Sequence, residues 1–158
     1  MELILAYNNL EEVLELVKEY TDMLLQHGDE LKECLKSQNI DDELKDLQKK
    51  YALPNGRLYL VRIDGKSAGC VGLTRNDDDY CELKRLYIRP EFRAKHISKI
   101  LIEKVIDDAK DIGYKYMRLD TFPFMNAAVK LYEKYGFEYI ENYNDNPAKT
   151  ALFMQLTL

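Results

Sequence analysis

The chain has 158 residues, of which 46% are hydrophobic and 32% charged, and its formal net charge is −5. These values are ordinary for a globular protein and predict one domain over residues 1–158 with a buried core. The negative charge argues against a general nucleic-acid binder, whose surface would be basic, and it leaves room for a cationic substrate.

Cysteines, histidines and apolar runs exclude further classes of protein. Cys34, Cys70 and Cys81 stand at no metal-like spacing, which predicts unpaired thiols in a reducing compartment. Only two histidines, His27 and His96, occur, so we expect no metal site. No stretch approaches the roughly eighteen apolar residues of a membrane span, and the first residues lack the basic start of a signal peptide. We therefore expect a cytoplasmic protein without membrane contact.

Apolar periodicity and turn signals predict strands and helices along the whole chain. Asp64-Gly65 is a hairpin signal, and Gly113 and Gly136 stand where helices should end. In chain order, the predicted segments are a strand at 2–7, helices at 10–26, 30–37 and 41–52, strands at 58–63, 68–74 and 81–88, a helix at 97–112, a strand at 116–121, a helix at 126–135, and strands at 137–141 and 151–157. This order predicts an α/β (α+β) fold with a mixed sheet flanked by helices.

The strand at 81–88 has a simple alternating pattern. Alternation predicts that its side chains divide between the two faces of the sheet. One face should carry Glu82, Lys84, Leu86 and Ile88, and the other Cys81, Leu83, Arg85 and Tyr87. A glutamate on a central strand is unusual, so Glu82 is a candidate functional residue.

The junction after this strand is rich in cations, namely Arg89, Arg93, Lys95 and Lys99. A helix should begin at about residues 94–98, and the free N–H groups and partial positive charge of a helix N-terminus suit a phosphate or pyrophosphate. The same residues are also typical of a solvated basic turn. No glycine is present to give the backbone the freedom that close ligand approach favours.

Two blocks of sequence, ELKRLYIRPEFRAKHISKILIEKVIDDAKDIGYKYMRLDT and NAAVKLYEKYGFEYI, resemble the GCN5-related N-acetyltransferase (GNAT) family in content, order and separation. The resemblance covers residues 58–141 strongly and the rest of the chain by the order of elements. It implies a mostly antiparallel sheet of about seven strands. It also implies an enzyme that transfers an acetyl group from acetyl-CoA to a primary amine.

The family's pyrophosphate loop, Arg-x-x-Gly-x-Gly/Ala, resembles this sequence at Arg93 but not at its two small positions. His96 stands in place of the glycine, and Ser98 in place of the glycine or alanine. Backbone N–H donors survive such changes, but a non-glycine residue in a left-handed conformation costs about 1–2 kcal/mol. We therefore expect cofactor binding to be weakened but retained. The predicted contacts with acetyl-CoA are Leu86, Tyr87, Ile88, Arg93, Ala94, Lys95, His96, Ile97, Ser98 and Asn126.

The resemblance also implies catalytic and substrate-binding groups. Tyr132 matches the tyrosine that often donates a proton to the leaving thiolate, although its register fits core packing as well. Glu82 is predicted to be the base that deprotonates the amine through water, or alternatively to form a salt bridge with a neighbouring lysine. Asp120 is the alternative carboxylate, and it could equally orient a backbone turn. In the loop before the last strand, Tyr143 and Asp145 are predicted substrate contacts, but Asn, Asp and Pro residues also build turns.

The acceptor and the assembly are less defined. The helices of the first fifty residues are expected to form the other wall of the acceptor site, and the acceptor is expected to be a small-molecule or peptide amine. The resemblance is compatible with a homodimer. Because of the altered loop, a non-catalytic CoA-binding or sensor module is the alternative to an enzyme. A purely structural or interaction protein is a third hypothesis.

Overall fold

The computed structural model describes residues 1–158 and contains one seven-stranded sheet. The strands are β1 (Glu2–Leu5), β2 (Arg57–Ile63), β3 (Lys66–Arg75), β4 (Tyr80–Ile88), β5 (Tyr116–Thr121), β6 (Glu138–Ile140) and β7 (Leu152–Thr157). Their spatial order is β1-β2-β3-β4-β5-β7-β6, and every neighbouring pair is antiparallel except β4 and β5. The expected mixed fold with a mostly antiparallel sheet is confirmed.

Helices cover both faces of this sheet. They are α1 (Leu10–Leu25), α2 (Asp29–Ser37), α3 (Ile40–Lys45), α4 (Leu47–Lys50), α5 (Ile97–Ile112) and α6 (Asn126–Lys134). Residues of α5 and α6 pack in one core with the sheet, whereas α1, α2 and α4 contribute to two further apolar clusters. None of these helices has the length and apolar character needed to cross a bilayer.

The segment predicted as one helix at 41–52 forms two short helices. Asp46 leaves the helical conformation, with φ −151°, and separates α3 from α4. Its side chain accepts a hydrogen bond from the Lys49 backbone N–H at 3.1 Å, which is the usual role of an aspartate at a helix start. The aspartate therefore interrupts a continuous apolar pattern by capping the second helix.

At Arg85, β4 contains a β-bulge. The backbone φ of this residue is 57°, and the register between β3 and β4 shifts here. Because a bulge inserts one extra residue, the alternation of side chains reverses beyond it. Leu86 and Ile88 lie in the core with α5, and Tyr87 lies in the core with α1. The alternation predicted for this strand is therefore wrong beyond Lys84.

The parallel pair β4 and β5 separates soon after it begins. The two strands are paired at only three positions, from Tyr80 opposite Tyr116 to Glu82 opposite Arg118. Beyond Glu82, the edge of β4 that faces β5 has no strand partner. Crevices at the carboxyl ends of parallel strands are common ligand sites, and the gap between these strands positions the site described below.

Candidate active site

A cleft of about 730 Å³ opens where β4 and β5 separate. Its walls are the end of β4, the start of α5 with the loop before it, α6, and the end of α1 with Met23 and His27. Of the ten predicted cofactor contacts, all except Lys95 line this cleft. The fold therefore brings residues 86–98 together with Asn126, which lies further along the chain beyond α5 and β5.

The start of α5 has an unusual set of free donors. None of the six backbone N–H groups from Ala94 to Lys99 donates a hydrogen bond within the protein, and the first helical bond runs from Ile100 N to His96 O at 3.2 Å. The φ angles of Ala94 and His96 are 64° and 60°, a region that favours glycine. Unbonded amides at a helix N-terminus next to left-handed residues fit a diphosphate group.

One of the four cations at this junction acts elsewhere. The guanidinium of Arg89 pairs with Glu15 at 3.2 Å and with Glu19 at 2.6 Å, both on α1. It therefore joins α1 to the end of β4, and the sequence-based grouping of Arg89 with an anion site is wrong. Arg93 remains at the cleft, where its Nε donates to the Ile88 carbonyl at 3.2 Å.

The cleft also contains residues that were not predicted from the sequence. Lys134 of α6 lines it together with Lys99. Lys134 follows Asn126 by eight residues in the sequence. This spacing places both residues on one helix face, and it is the sequence signal from which Lys134 could have been predicted to line the cleft. The rings of His27 and Phe124 are stacked with centroids 3.7 Å apart. No local pattern indicates that contact, because the two residues come from distant parts of the chain.

A small pocket of about 20 Å³ adjoins the cleft, with which it shares Leu86 and Met125. Tyr132 and Asp120 both line it. The Tyr132 side chain is buried and packs against Phe137, with ring centroids 5.5 Å apart. Burial raises the pKa of Tyr132 above its ordinary value, so the phenol keeps its proton at neutral pH. The residue thus fits both readings of the sequence, core packing and proton donation.

Glu82 is buried outside both cavities. Its Oε1 accepts a hydrogen bond from Asn76 at 3.2 Å, and its Oε2 accepts one from Lys84 at 3.3 Å. It does not line the small pocket. Contact between this carboxylate and an amine in the pocket would require a bridging water, and its role as the base stays a prediction.

Asp120, the alternative carboxylate, lines the small pocket near the end of β5. Its Oδ2 accepts hydrogen bonds from the side-chain amides of Gln38 at 3.3 Å, Asn144 at 3.0 Å and Asn146 at 3.0 Å. Its Oδ1 accepts none from the protein. The carboxylate is thus held on one side by neutral donors from the residue that follows α2 and from the loop between β6 and β7.

The two predicted substrate contacts lie in that same loop. Tyr143 packs over the guanidinium of Arg118, 4.3 Å from its ring centroid, and meets the ring of Phe153 at 5.9 Å. Its hydroxyl is buried without a hydrogen-bond partner, and burial raises the pKa of Tyr143 above its ordinary value. Asp145 is exposed, with φ 56°. Their contact with a substrate stays a prediction.

A mixed sheet that opens at its one parallel pair, with free amides at a helix start beside the opening, defines a protein that can bind a diphosphate-bearing cofactor. The comparisons specify the class. The chain matches the model of the Acetyltransferase (GNAT) family over residues 16–137 and belongs to that family. The family and the acetyltransferase class expected from the sequence are thereby confirmed.

Known relatives agree with this assignment. An uncharacterized N-acetyltransferase of Schizosaccharomyces pombe is 37% identical over 123 residues, which cover 77% of this chain and 76% of the relative. The fold is similar to that of an acetyltransferase from Streptococcus agalactiae, with a TM-score of 0.76 at 20% sequence identity. The matched region covers 99% of this chain and 98% of the Streptococcus agalactiae chain. A GNAT family acetyltransferase from Elizabethkingia anophelis, crystallised with acetyl-CoA bound, has a TM-score of 0.58 at 25% identity, with coverage of 72% and 83%.

Proposed function

We propose that this protein is an acetyl-CoA-dependent N-acetyltransferase that transfers the acetyl group to a primary amine by direct attack on the thioester. The observation that carries the proposal is the set of six unbonded N–H groups from Ala94 to Lys99 beside the cleft. The acetyl-CoA bound to the related GNAT enzyme of Elizabethkingia anophelis supports the same cofactor here.

The residues of the cleft fit acetyl-CoA along its length. The free amides at the start of α5 would bind the diphosphate, and Lys99 and Lys134 add positive charge beside it. The main chain of residues 86–88 has an edge without a strand partner, so it can pair with the amides of the pantetheine arm as a strand would. Asn126 lines the opposite wall.

Acetyl-CoA, when bound, supplies the thioester carbonyl that the amine attacks and the thiolate that leaves. Tyr132 would donate its proton to that sulfur, since a phenol with a raised pKa is protonated before the step. A carboxylate would take the proton of the incoming ammonium; the two candidates for this base are Glu82 and Asp120. The buried pocket wall around Tyr132 would exclude water from competing attack.

Calorimetric titration with acetyl-CoA, followed by thiol release in the presence of a panel of primary amines, tests the proposal. We expect saturable binding and release of one thiol for each amide formed. No binding at millimolar acetyl-CoA would reject it.

Replacement of Tyr132 by phenylalanine tests the acid. We expect kcat to fall by about 10²–10⁴-fold with little change in acetyl-CoA affinity, because only the proton donor is removed. Tyr135→Phe is the matched control. Its hydroxyl donates to Glu103 on α5 at 2.7 Å, outside the cleft, so its loss should leave kcat unchanged. Equal rates for Tyr132→Phe and the wild type would exclude the role.

One observation favours a second candidate, a non-catalytic CoA-binding or sensor module. His96 occupies the glycine position of the loop and has a left-handed backbone, so the loop departs from the family pattern at a conformationally demanding site. This candidate predicts acetyl-CoA binding without thiol release for every amine. A cytoplasmic location, a peptide acceptor and a homodimer remain predictions from the sequence.

A further inference from the structure

The small pocket beside the cleft has one charge that is not balanced. Three charged residues line the pocket, namely Lys84, Arg85 and Asp120. Lys84 pairs with Glu82 at 3.3 Å, and Arg85 pairs with Glu43 at 2.8 Å. Asp120 has only neutral amide donors. Asp120 is half-buried, and Lys84 and Arg85 pair with other carboxylates, so its carboxylate has no ion-pair partner in the protein.

The hydrogen bonds of Asp120 also define which of its oxygens is available. All three amide donors bond to Oδ2, and a carboxylate oxygen accepts about two hydrogen bonds. Oδ1 has no donor in the protein, and the side chain lines the same pocket as Tyr132. The amides of Gln38, Asn144 and Asn146 thus hold the carboxylate in position while one oxygen stays free for a ligand.

We propose that Asp120 binds the ammonium group of the acceptor and removes its proton, and that the acceptor is a primary amine on an unbranched carbon. The inference rests on the proposed function and specifies its substrate class. The pocket volume of about 20 Å³ is little more than the roughly 10–15 Å³ that a water molecule needs. A pocket of this size fits a slender ammonium group better than an N-methylated or α-branched amine, and the carboxylate repels an acceptor whose amine lies next to its own carboxylate.

The proton and electron steps balance. Oδ1 of Asp120 takes one proton from R–NH₃⁺ and leaves R–NH₂. The nitrogen lone pair then forms the C–N bond to the acetyl carbonyl carbon as the C–S bond breaks, and Tyr132 gives its proton to the departing sulfur. The second proton on nitrogen returns to the phenolate through water, and Asp120 releases its own proton to solvent. One amide, one thiol and one proton are formed from one ammonium ion and one thioester.

Other titratable groups near Asp120 stay in one protonation state in the neutral pH range. Burial raises the pKa of Tyr20 on α1 to about 12 and that of Cys34 on α2 to about 11. It also raises the pKa of Tyr132 and of Tyr143. The cations Lys84 and Arg85 on β4 are already paired. Both histidines, His27 and His96, line the cleft and not the small pocket.

The first test is the pH dependence of Asp120→Asn, which keeps an oxygen for the three amide donors. At pH 7 we expect kcat/KM to fall by about 10²–10⁴-fold. It should also rise tenfold per pH unit toward the pKa of the free amine, about 10.4 for a lysine-like amine, because the amine must then lose its proton to water. Acetyl-CoA affinity should be unchanged. Asp111→Asn, on an exposed position of α5, is the matched control and should behave as the wild type.

The variant Glu82→Gln tests the competing assignment, in which Glu82 is the base. Under the proposal its kcat/KM does not acquire the tenfold rise per pH unit, since Glu82 lies outside the pocket and Asp120 still takes the proton. If Glu82→Gln acquires the tenfold rise per pH unit and Asp120→Asn does not, the proposal is overturned in favour of Glu82.

A second test uses the wild-type enzyme with CoA bound and so does not depend on the folding of a variant. We expect calorimetry to detect n-pentylamine binding, with at least tenfold weaker binding of n-pentanol and of N-methylpentylamine. Equal binding of the amine and the alcohol would overturn the inference. The proposed function itself fails only if acetyl-CoA does not bind or no amine releases thiol, which is a different result.

Discussion

His96 adopts a left-handed backbone at the residue before α5, with φ 60° and ψ 21°. The left-handed conformation of a non-glycine residue costs about 1–2 kcal/mol, and with this backbone the N–H groups of residues 94–99 have no hydrogen-bond acceptor in the protein. This observation changes what the histidine implies. Its backbone does not need to rearrange for the amides to bind a diphosphate, and only the exposed imidazole remains as a potential obstacle.

We therefore expect His96→Gly to stabilise the fold by about 0.5–1 kcal/mol, after the larger entropy of a glycine in the unfolded chain is subtracted. Its acetyl-CoA Kd should change less than about tenfold. Urea unfolding and calorimetry measure the two quantities. Asp64→Gly is the matched control for the backbone effect alone. Asp64 also has a positive φ, 51°, in the turn between β2 and β3, so its replacement by glycine should change the free energy of unfolding in the same direction. Loss of stability in His96→Gly would show that the imidazole supports the loop.

At the scale of elements, the bulge in β4 is tied to the helical layer by a buried ion pair. Arg85 donates from Nε and Nη2 to the two carboxylate oxygens of Glu43 on α3, at 2.8 and 2.9 Å. Tyr51 donates to the same carboxylate at 3.0 Å, and Lys50 pairs with it at 3.0 Å. Because Arg85 is the residue of positive φ in the bulge, this cluster stabilises the bulged conformation of β4.

Glu43 should make stability depend on acidic pH. Burial alone would raise the pKa of Glu43, but the hydrogen bonds and charges of Arg85 and Lys50 lower it to about 2, from 4.5. Since the folded-state pKa is lowered, the stabilisation is complete above about pH 4.5 and is lost as the pH falls toward 2. The shift corresponds to about 3 kcal/mol.

Glu43→Gln should reduce the free energy of unfolding at pH 7 by about 3–5 kcal/mol, because it leaves a buried guanidinium without its counter-charge. It should also flatten the pH dependence between about 5 and 2. Guanidinium unfolding at several pH values measures both effects. Asp78→Asn, which breaks the exposed pair with Arg75, should leave the unfolding midpoint nearly unchanged. A steep acid dependence retained in Glu43→Gln would contradict the assignment.

At the scale of the whole molecule, the cleft lies between the part of the sheet that ends at β4 and the part that begins at β5. Only three paired positions join these parts at the parallel pair. A ligand that contacts the end of β4, the start of α5 and α6 would connect them. Binding and global stability should therefore be coupled through this cleft.

Acetyl-CoA at a hundred times its Kd should stabilise the protein by about 2.7 kcal/mol and raise Tm by about 5–10 °C. The rise should decrease at high salt, since Lys99 and Lys134 act on phosphates at the protein surface. S-acetylpantetheine, which lacks the diphosphate, is the control and should have a smaller effect at equal concentration. Equal shifts for the two compounds would show that the amides of residues 94–99 do not bind phosphate.

The sequence by itself determined the fold class and the family, and it predicted the place of the cofactor loop. Apolar spacing along 97–112 and the closing Gly113, with φ 108°, are local signals, and the helix has those bounds. Arg93 and Asn126 could be found in the same way, because short motifs encode them. Such features depend on neighbouring residues, which a single sequence displays directly.

Only the tertiary structure decided which groups surround the chemistry. The bulge at Arg85 depends on Glu43, and the single free oxygen of Asp120 depends on Gln38 and on two asparagines of the β6–β7 loop. Arg89 likewise belongs to α1 and not to the loop beside it. Each of these contacts joins residues far apart in the chain, and its free energy comes from burial and pairing that exist only after the sheet and helices have packed together.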